Sequence, residues 1–439
     1  MTTAQGPGAA RDSRSSGPGG RPAVAVIGAG VAGLTAAYLL RGTHDVTLFE
    51  SEPRLGGHAH THDLPGRGDQ RLGVDSGFIV HNDRTYPLLR RLFGELDVAV
   101  RPAEMSMSVS CDGCGLEYAG GRGPRGVFAQ RRRAASPRFL AMLVQVGRFN
   151  AAAKRHLADA AADDLTTLGE FLRARRFGDY FVRHYAVAVV SCVWSAGNVN
   201  ALAYPARYLF EFLDHHGLLD ITGRDSWATV VGGSGAYVGA VQSRLDDVRL
   251  GVPVRGVTRK PDGVEVQDDA DQMQTFDRVV LATHADVALQ LLTDVSDDER
   301  NVLGAFRYSA NETLLHTDDR VLPTAPLARA SWNYKMRSCA RDEDKVLVSY
   351  WMNHLQGLDA DVDYVVTLNP DHEVHEDAVV ARMAYTHPIY TPAAVAAQSR
   401  LPGLASDSTV FAGAYHGWGF HEDGCRSGVA AAAHFGATW

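Results

Sequence analysis

The sequence predicts an α/β protein: a Rossmann-like parallel sheet assembled from separated segments, with a mixed α+β domain inserted into it. Three observations carry this. Residues 23–50 run apolar strand, glycine-rich turn, helix, second strand, the minimal unit of a parallel sheet. The chain turns helical from about Pro87 to Trp227, and short apolar strands return near residues 248–282 and 410–412. With 439 residues there is room for two or three domains at roughly 100–200 residues each.

Each element has a local signal. Residues 1–21 are dominated by Gly, Pro, Ser, Ala and Thr and are expected to be a disordered tail. Order is expected from Pro22: Ala23–Ile27 is apolar, Leu34–Leu40 has helical composition, and Val46–Phe49 is a second apolar run ended by Glu50. Apolar spacings of three and four predict helices over Leu88–Leu96, Phe139–Phe149, Leu168–Arg176 and Ala206–Leu213. Extended segments are predicted at Val248–Val257, Gly263–Gln267 and Arg278–Ala282, with a turn at Asp262-Gly263. Asn311–His316 and Val346–Trp351 follow, and the chain closes with a strand Val410–Ala412, a glycine-rich stretch and a helix from about Gly424 to His434.

Composition excludes several function classes. Hydrophobic residues make up 45% and charged residues 21%, so the chain is not mostly disordered. A net charge of −8 disfavours nucleic acid as a partner, because phosphate contacts need a basic face. Five cysteines make no disulfide framework, and no secretory apolar segment opens the sequence. No apolar run approaches the roughly 18 residues of a membrane span; the longest, Tyr185–Trp194, is broken at Ser191 and reads as a buried helix. The expectation is a cytoplasmic enzyme with a small-molecule substrate.

Three motifs carry chemistry. In Gly28-Ala29-Gly30-Val31-Ala32-Gly33 the first glycine permits a tight turn, the second lets backbone approach a pyrophosphate and the third lets helix pack on strand. Glu50, 22 residues after Gly28, sits where a carboxylate accepts ribose hydroxyls and repels a 2′-phosphate. Arg54-Leu55-Gly56-Gly57-His58 then offers a cation for phosphate beside two bare backbone positions. The third motif is terminal: Gly413, then a segment from Gly419 through Gly424, Ser427 and Gly428 into the last helix, whose N-terminus would favour negative charge developing on a ligand.

With these residues the chain resembles the FAD-dependent amine oxidase and phytoene desaturase superfamily, except that His58 stands where that group carries Arg and Ala414 where it often carries an acid. The resemblance implies non-covalent FAD in a glutathione-reductase-like domain built from residues 22–84, 228–290 and 405–439, with residues 85–227 and 291–404 forming the substrate domain. It implies cofactor contacts at Gly28, Ala29, Gly30, Gly33, Glu50, Arg54, Gly56, Gly57, Val254, Ala282, Gly413, Gly424, Ser427 and Gly428. His416, His421 and Glu422, with Asp423 beside them, fall in the segment expected to pass the flavin ring and are the candidate proton-transfer groups. Gly73–Asn82, Ser331–Tyr334 and Tyr415–His421 further resemble bacterial NAD/FAD-binding proteins often encoded beside cyclopropane-fatty-acid-synthase-like methyltransferases, which implies a lipid or other long apolar substrate.

The expected function is therefore hydride abstraction from a largely apolar molecule, by desaturation or another oxidation. An FAD-dependent isomerase, an amine oxidase, an NAD dehydrogenase and a non-catalytic flavin-binding partner of a methyltransferase stay open. Lysine occurs only at 154, 260, 335 and 345, none of them in Asn311–His316, where the resemblance places the lysine of amine-oxidising members. Lys335 is the nearest candidate, and Trp332, Tyr334, Trp418 and Phe420 are the candidate aromatic walls. The apolar helical region Tyr185–Phe212 suits a long hydrophobic substrate better. Cys111-x-x-Cys114 lacks further ligands nearby and reads as a hairpin turn, and His215-His216 and His372/His375 read as exposed, so no metal is expected. Arg131–Arg133 reads as a solvated face, with peripheral membrane contact as the alternative.

Overall fold

The strand Ala23–Ile27 is buried at every position, and a strand without an exposed face must be covered on both sides. In the computed structural model, which describes residues 20–161, 163–194, 197–219, 226–339 and 345–439, it is the centre of a five-stranded parallel sheet. The order is Asp247–Leu250, Asp45–Glu50, Ala23–Ile27, Arg278–Leu281, Thr409–Phe411. The expected tail lies outside the described residues apart from Gly20 and Arg21.

The helix Val31–Leu40 follows the glycine turn and packs against the terminal helix His421–His434. The approach is close enough to require glycine. A Cβ on Gly424 would stand 2.6 Å from Val31 Cγ1, and one on Gly428 would overlap the Ala32 carbonyl; Gly33, where a Cβ would overlap the Gly28 carbonyl, lets the same helix pack on its own turn and strand. The terminal helix begins already at His421, because the Asp423 carboxylate accepts from the Phe420 N–H at 3.1 Å and closes its first turn.

A seven-stranded mixed sheet stands beside this unit, in the order Val379–Ile389, Arg307–His316, Val365–Leu368, Leu347–Trp351, Trp332–Met336, Met107–Cys111, Leu116–Gly120. All its pairs are antiparallel except Trp332–Met336 with Met107–Cys111. The last two strands interrupt the region expected to be helical from Pro87 to Trp227. They are the arms of the hairpin foreseen around Asp112-Gly113, and Ser108 and Ser110 bond to Asn333 Oδ1 and the Tyr334 carbonyl rather than to water. The extended run expected over Val248–Val257 is also divided. Gly251, at φ +64°, turns the chain, so Asp247–Leu250 joins the parallel sheet while Val254–Lys260 opens an antiparallel meander with Gly263–Asp268 and Met273–Phe276.

The predicted helices are present, as Pro87–Glu95, Pro137–Asp159, Leu168–Ala174 and Ala206–His215. They enclose an aromatic core in which Phe149 meets Phe171, Phe177, Phe181, Tyr185 and Phe210 at centroid distances of 5.5–6.3 Å. Between them, Val182–Ala186 is a single π turn leading into the helix Val187–Trp194. Among the described residues no helix is long and apolar enough to cross a membrane.

Two glycines of opposite kind test this packing. Gly428→Val should lower the unfolding free energy by at least the ~1–3 kcal/mol typical of overpacking. Gly147→Ala, mid-helix with nothing within 4 Å of an added Cβ, should raise it by about 0.5–1 kcal/mol. Denaturant titration measures both, and a neutral Gly428→Val would contradict the contact.

Candidate active site

A cavity of about 1740 Å³ runs from the glycine turn to the helical region. At one end it is lined by Gly28, Ala29, Gly30, Glu50, Arg54, Gly56, Gly57, Val254 and Ala282, so nine of the expected cofactor contacts are brought together. Gly30 is the residue before the first helical turn, and a Cβ there would meet nothing within 4 Å. The helix N-terminus thus faces open space with no side chain between. The Gly56 N–H donates to the Ala29 carbonyl at 2.9 Å, which ties the second motif to the first. Glu50 accepts from the Ala29 N–H at 2.8 Å, the Glu52 N–H at 2.9 Å and the Ser51 hydroxyl at 3.2 Å, using three of the roughly four lone-pair positions of a carboxylate. Arg54 donates to the Gly57 carbonyl at 2.8 Å and pairs with Glu52 at 3.0 Å.

Gly413 also lines the cavity, but Gly33, Gly424, Ser427 and Gly428 do not. These four act from behind the wall. The glycines are the helix contacts described above, and Ser427 Oγ accepts from the Gly413 N–H at 2.8 Å while donating to the Gly424 carbonyl at 2.7 Å. Gly33 packs helix on strand, as its place in the first motif implies, while Gly424, Ser427 and Gly428 belong to the closing segment but face the neighbouring helix and turn.

The three candidate proton-transfer residues separate in the same way. His421 lines the cavity, stacked on Phe78 with centroids 3.8 Å apart, and its Nε2 is buried without a protein partner. Burial pushes its pKa down to about 3, so the imidazole is neutral. His416 does not line the cavity, and burial lowers it to about 4. Glu422 is turned away: its carboxylate accepts from the N–H groups of Leu88 and Leu89 at 3.1 and 2.9 Å, capping the helix Pro87–Glu95.

The structure adds groups that the sequence did not reveal. His58, His60, His284, Tyr385 and His387 line the cavity with His421. The His58 ring lies 5.0 Å from Tyr385 and 5.4 Å from His387, and its Nε2 is also buried and unpartnered. Asn369 donates to Asn311 Oδ1 at 2.8 Å, which fixes the Asn311 amide so that its Nδ2 donates to His387 Nδ1 at 2.9 Å. His387 must then carry its proton on Nε2. The Tyr385 hydroxyl is 2.9 Å from His60 Nδ1 and 2.7 Å from Ser76 Oγ, which is 2.9 Å from His62 Nε2. Burial, and for His58 the neighbouring imidazoles, lowers every one of these histidines, with His60 and His387 at about 4. The bare cradle at Gly30 and the orphaned nitrogens of His58 and His421 fit a large bound FAD that supplies the missing polar partners.

Beyond this polar stretch the wall is apolar, formed by Val127, Leu143, Tyr185, Val189, Val193 and Leu213 among others. Trp332 and Phe420 line it; Tyr334 and Trp418 do not. His216, expected to be exposed, is buried on the wall and stacked on Phe212, whereas His372 and His375 are exposed as read from the sequence. No lysine is among the lining residues, and Lys335 is held by Glu373 at 2.8 Å and Asp112 at 3.5 Å. Arg131 and Arg132 are exposed, but Arg133 is half-buried and donates to the Cys114 carbonyl at 2.8 Å. Cys111 and Cys114 meet two side chains from far along the chain, His184 and Cys339.

Comparison with known proteins agrees with this geometry. The family model for flavin-containing amine oxidoreductases matches residues 31–309, more than half of the chain. Over 48 residues the chain is 54% identical to a tryptophan 2-monooxygenase of Allorhizobium ampelinum, a match that spans only 10% of this chain and 7% of that enzyme. The fold is shared with a CLA-producing fatty acid isomerase from P. acnes (TM-score 0.68, 18% identity, 94% of this chain and 99% of that one). It is shared equally with cyclohexylamine oxidase from Brevibacterium oxydans (TM-score 0.69, 17% identity, 94% and 98%).

Two outcomes follow from the site. A Cβ at position 30 meets nothing within 4 Å, so Gly30→Val should fold yet purify colourless; a folded variant carrying stoichiometric FAD would contradict the cradle. The second concerns acid. His60, His81, His316, His387 and His416 at about 4 and His421 at about 3 bind protons less readily folded than unfolded, where the value is 6.5. Each therefore weakens the fold as pH drops below about 6.5, by up to about 1.4 kcal/mol per pH unit. Asp75 and Asp423, raised by burial to about 6, and Glu422, also raised by burial, act in the opposite sense but are outnumbered by the lowered histidines. The melting temperature should fall between about pH 6.5 and 4, less steeply in His421→Phe, and a rise over that range would contradict the neutral assignments.

Proposed function

The chain belongs to the flavin-containing amine oxidoreductase family and is an FAD-dependent oxidoreductase; we propose that its substrate is a long, largely apolar molecule that loses a hydride in the cavity. The observation that carries this reading is the continuity of that cavity, from the bare cradle at Gly30 to an apolar wall contributed by Tyr185, Val189, Val193 and Leu213. In this reading residues 22–84, 228–290 and 405–439 serve the cofactor, and residues 85–227 and 291–404 shape the substrate chamber.

The N–H groups at the start of Val31–Leu40 and Arg54 would hold the pyrophosphate, and Glu50 would hold the ribose. Bound FAD supplies a two-electron acceptor for hydride. The protein's own residues do the rest. The apolar wall excludes water and orients a chain by shape alone. His387 offers a neutral Nε2–H, and His421 offers Nε2 as the atom free to meet a ligand. Desaturation releases one proton for each hydride, and the hydrogen-bonded series Tyr385 hydroxyl, Ser76 Oγ, His62 Nε2 gives that proton a route towards half-exposed His62. Burial holds the Tyr385 hydroxyl protonated, so it relays a proton rather than storing one.

Amine oxidation fits less well, because the cavity has no lysine on its wall and Lys335 is committed to two carboxylates. Isomerisation, with the hydride returned to the same chain, is the second reading, supported by the fold shared with a fatty acid isomerase. The resemblance to proteins encoded beside lipid methyltransferases points to an unsaturated or methylated acyl chain. Exposed Leu140 and Val144 sit on the helix whose Leu143 and Val146 line the chamber, beside exposed Arg131, Arg132 and Arg138, which suits peripheral contact with an anionic lipid surface.

Anaerobic flavin reduction by a panel of simple amines and of unsaturated and methylated lipids tests the reading. A long-chain lipid should bleach the flavin, and Val189→Trp should slow that at least about tenfold, the equivalent of ~1.4 kcal/mol of misfit, with FAD retained. Lys335→Met should have no effect. Rapid reduction by a simple amine, lost in Lys335→Met, would overturn it.

A further inference from the structure

We infer that Cys111, Cys114, His184 and Cys339 form a structural zinc site, separate from the flavin chemistry. The four ligand atoms lie within 4.8 Å of one another. Cys111 Sγ and Cys339 Sγ are 3.4 Å apart, and His184 Nε2 is 3.6 Å from Cys114 Sγ and 3.7 Å from Cys339 Sγ. A tetrahedron with zinc–sulfur bonds of about 2.3 Å and a zinc–nitrogen bond of about 2.0 Å has edges of roughly 3.5–3.8 Å. These three separations lie within about 0.4 Å of those edges. They are far from the about 2.05 Å of a disulfide, and all the cysteines are free. Four protein ligands close the coordination sphere, which is the arrangement of a structural rather than a catalytic zinc, and three thiolates with one imidazole suit a soft-accepting tetrahedral ion.

The surroundings are arranged for the ion as well. The His184 Nδ1–H donates to the Tyr180 carbonyl at 3.0 Å, which leaves the Nε2 lone pair for a metal. Arg133, on the Cys114 carbonyl, brings a positive charge beside three thiolates whose charge exceeds that of the ion by one. The Asp112 N–H donates to the Met336 carbonyl at 2.9 Å, so the hairpin turn is already docked on the strand that delivers Cys339. Cys111 and His184 are buried while Cys114 and Cys339 are half-buried, which leaves a side from which an ion can arrive.

The site joins three pieces of chain: the hairpin Met107–Gly120, the π turn Val182–Ala186 and the segment just past Trp332–Met336. The π turn matters most. His184 faces the cluster while its neighbours Tyr185 and Ala186 line the chamber, and the Tyr118 hydroxyl holds the His184 carbonyl at 2.7 Å. Zinc there would pin the chamber wall to the seven-stranded sheet without touching the cofactor cradle.

The test is metal analysis of the untagged, FAD-loaded full-length protein by inductively coupled plasma mass spectrometry, with a count of free thiols. About one zinc per chain is expected, falling to near zero in Cys114→Ser and Cys339→Ser while FAD content is unchanged. Should a variant fail to fold, zinc chelated from the wild-type protein and replaced by Co²⁺ should give the intense red-region absorption of a tetrahedral thiolate site, beyond the flavin bands. Zinc-free protein whose five thiols are all reduced and that takes up neither Zn²⁺ nor Co²⁺ would overturn the assignment. So would a disulfide within the cluster, or stoichiometric iron.

Discussion

The contact between the helix Val31–Leu40 and the terminal helix His421–His434 is the constraint on which the rest depends. Gly424 and Gly428 remove the side chains that would hold these backbones apart. Close approach has three consequences at once. It lays the Gly28–Gly30 turn open at the head of one helix, brings His421 to the cavity at the head of the other, and lets Ser427 reach back to fix Gly413. The first and last segments of the ordered chain are thereby welded into one cradle, although some 390 residues lie between Gly30 and Gly419 in the sequence.

From that cradle the cavity changes character along its length. Near the sheets it carries neutral imidazoles held by amides and hydroxyls; among the helices it carries Val, Leu and aromatic rings. A cluster of buried histidines is tolerable only uncharged, because each additional proton would be desolvated beside its neighbours. The same arrangement gives the site hydrogen-bonding capacity at neutral pH without fixed charge, which suits the removal of hydride from a carbon chain that brings little charge of its own.

Much of this was legible in the sequence where the signal is local. The turn Gly28–Gly33, the acid at Glu50 and the pair Gly56-Gly57 stand out because each sits in a short contiguous stretch, and Ala206–Leu213 shows its helix by apolar spacing alone. What depends on the far side of the molecule was not legible. Gly424, Ser427 and Gly428 belong to the right segment, yet their direction is set by Val31 and Ala32, and Glu422 turns to the N–H groups of Leu88 and Leu89. His284, Tyr385 and His387 come from loops and a strand with no motif, and only the pairing of Arg307–His316 with Val379–Ile389 sets Asn311 against His387. Cys111-x-x-Cys114 looked isolated because its partners stand 70 residues away at His184 and 228 away at Cys339. Pairs of chemistry-bearing residues without near neighbours are the signal to follow there.

The central claim is that the flavin cradle and the apolar chamber are one continuous space. The most direct measurement is a titration of the FAD-loaded protein with straight-chain alcohols of increasing length, followed by the flavin difference spectrum. Affinity is expected to grow by up to about 0.8 kcal/mol per methylene until the chamber is filled, then level off, with every binding member perturbing the flavin bands. Affinity independent of chain length, or long-chain binding that leaves the flavin spectrum untouched, would contradict the continuity of the two.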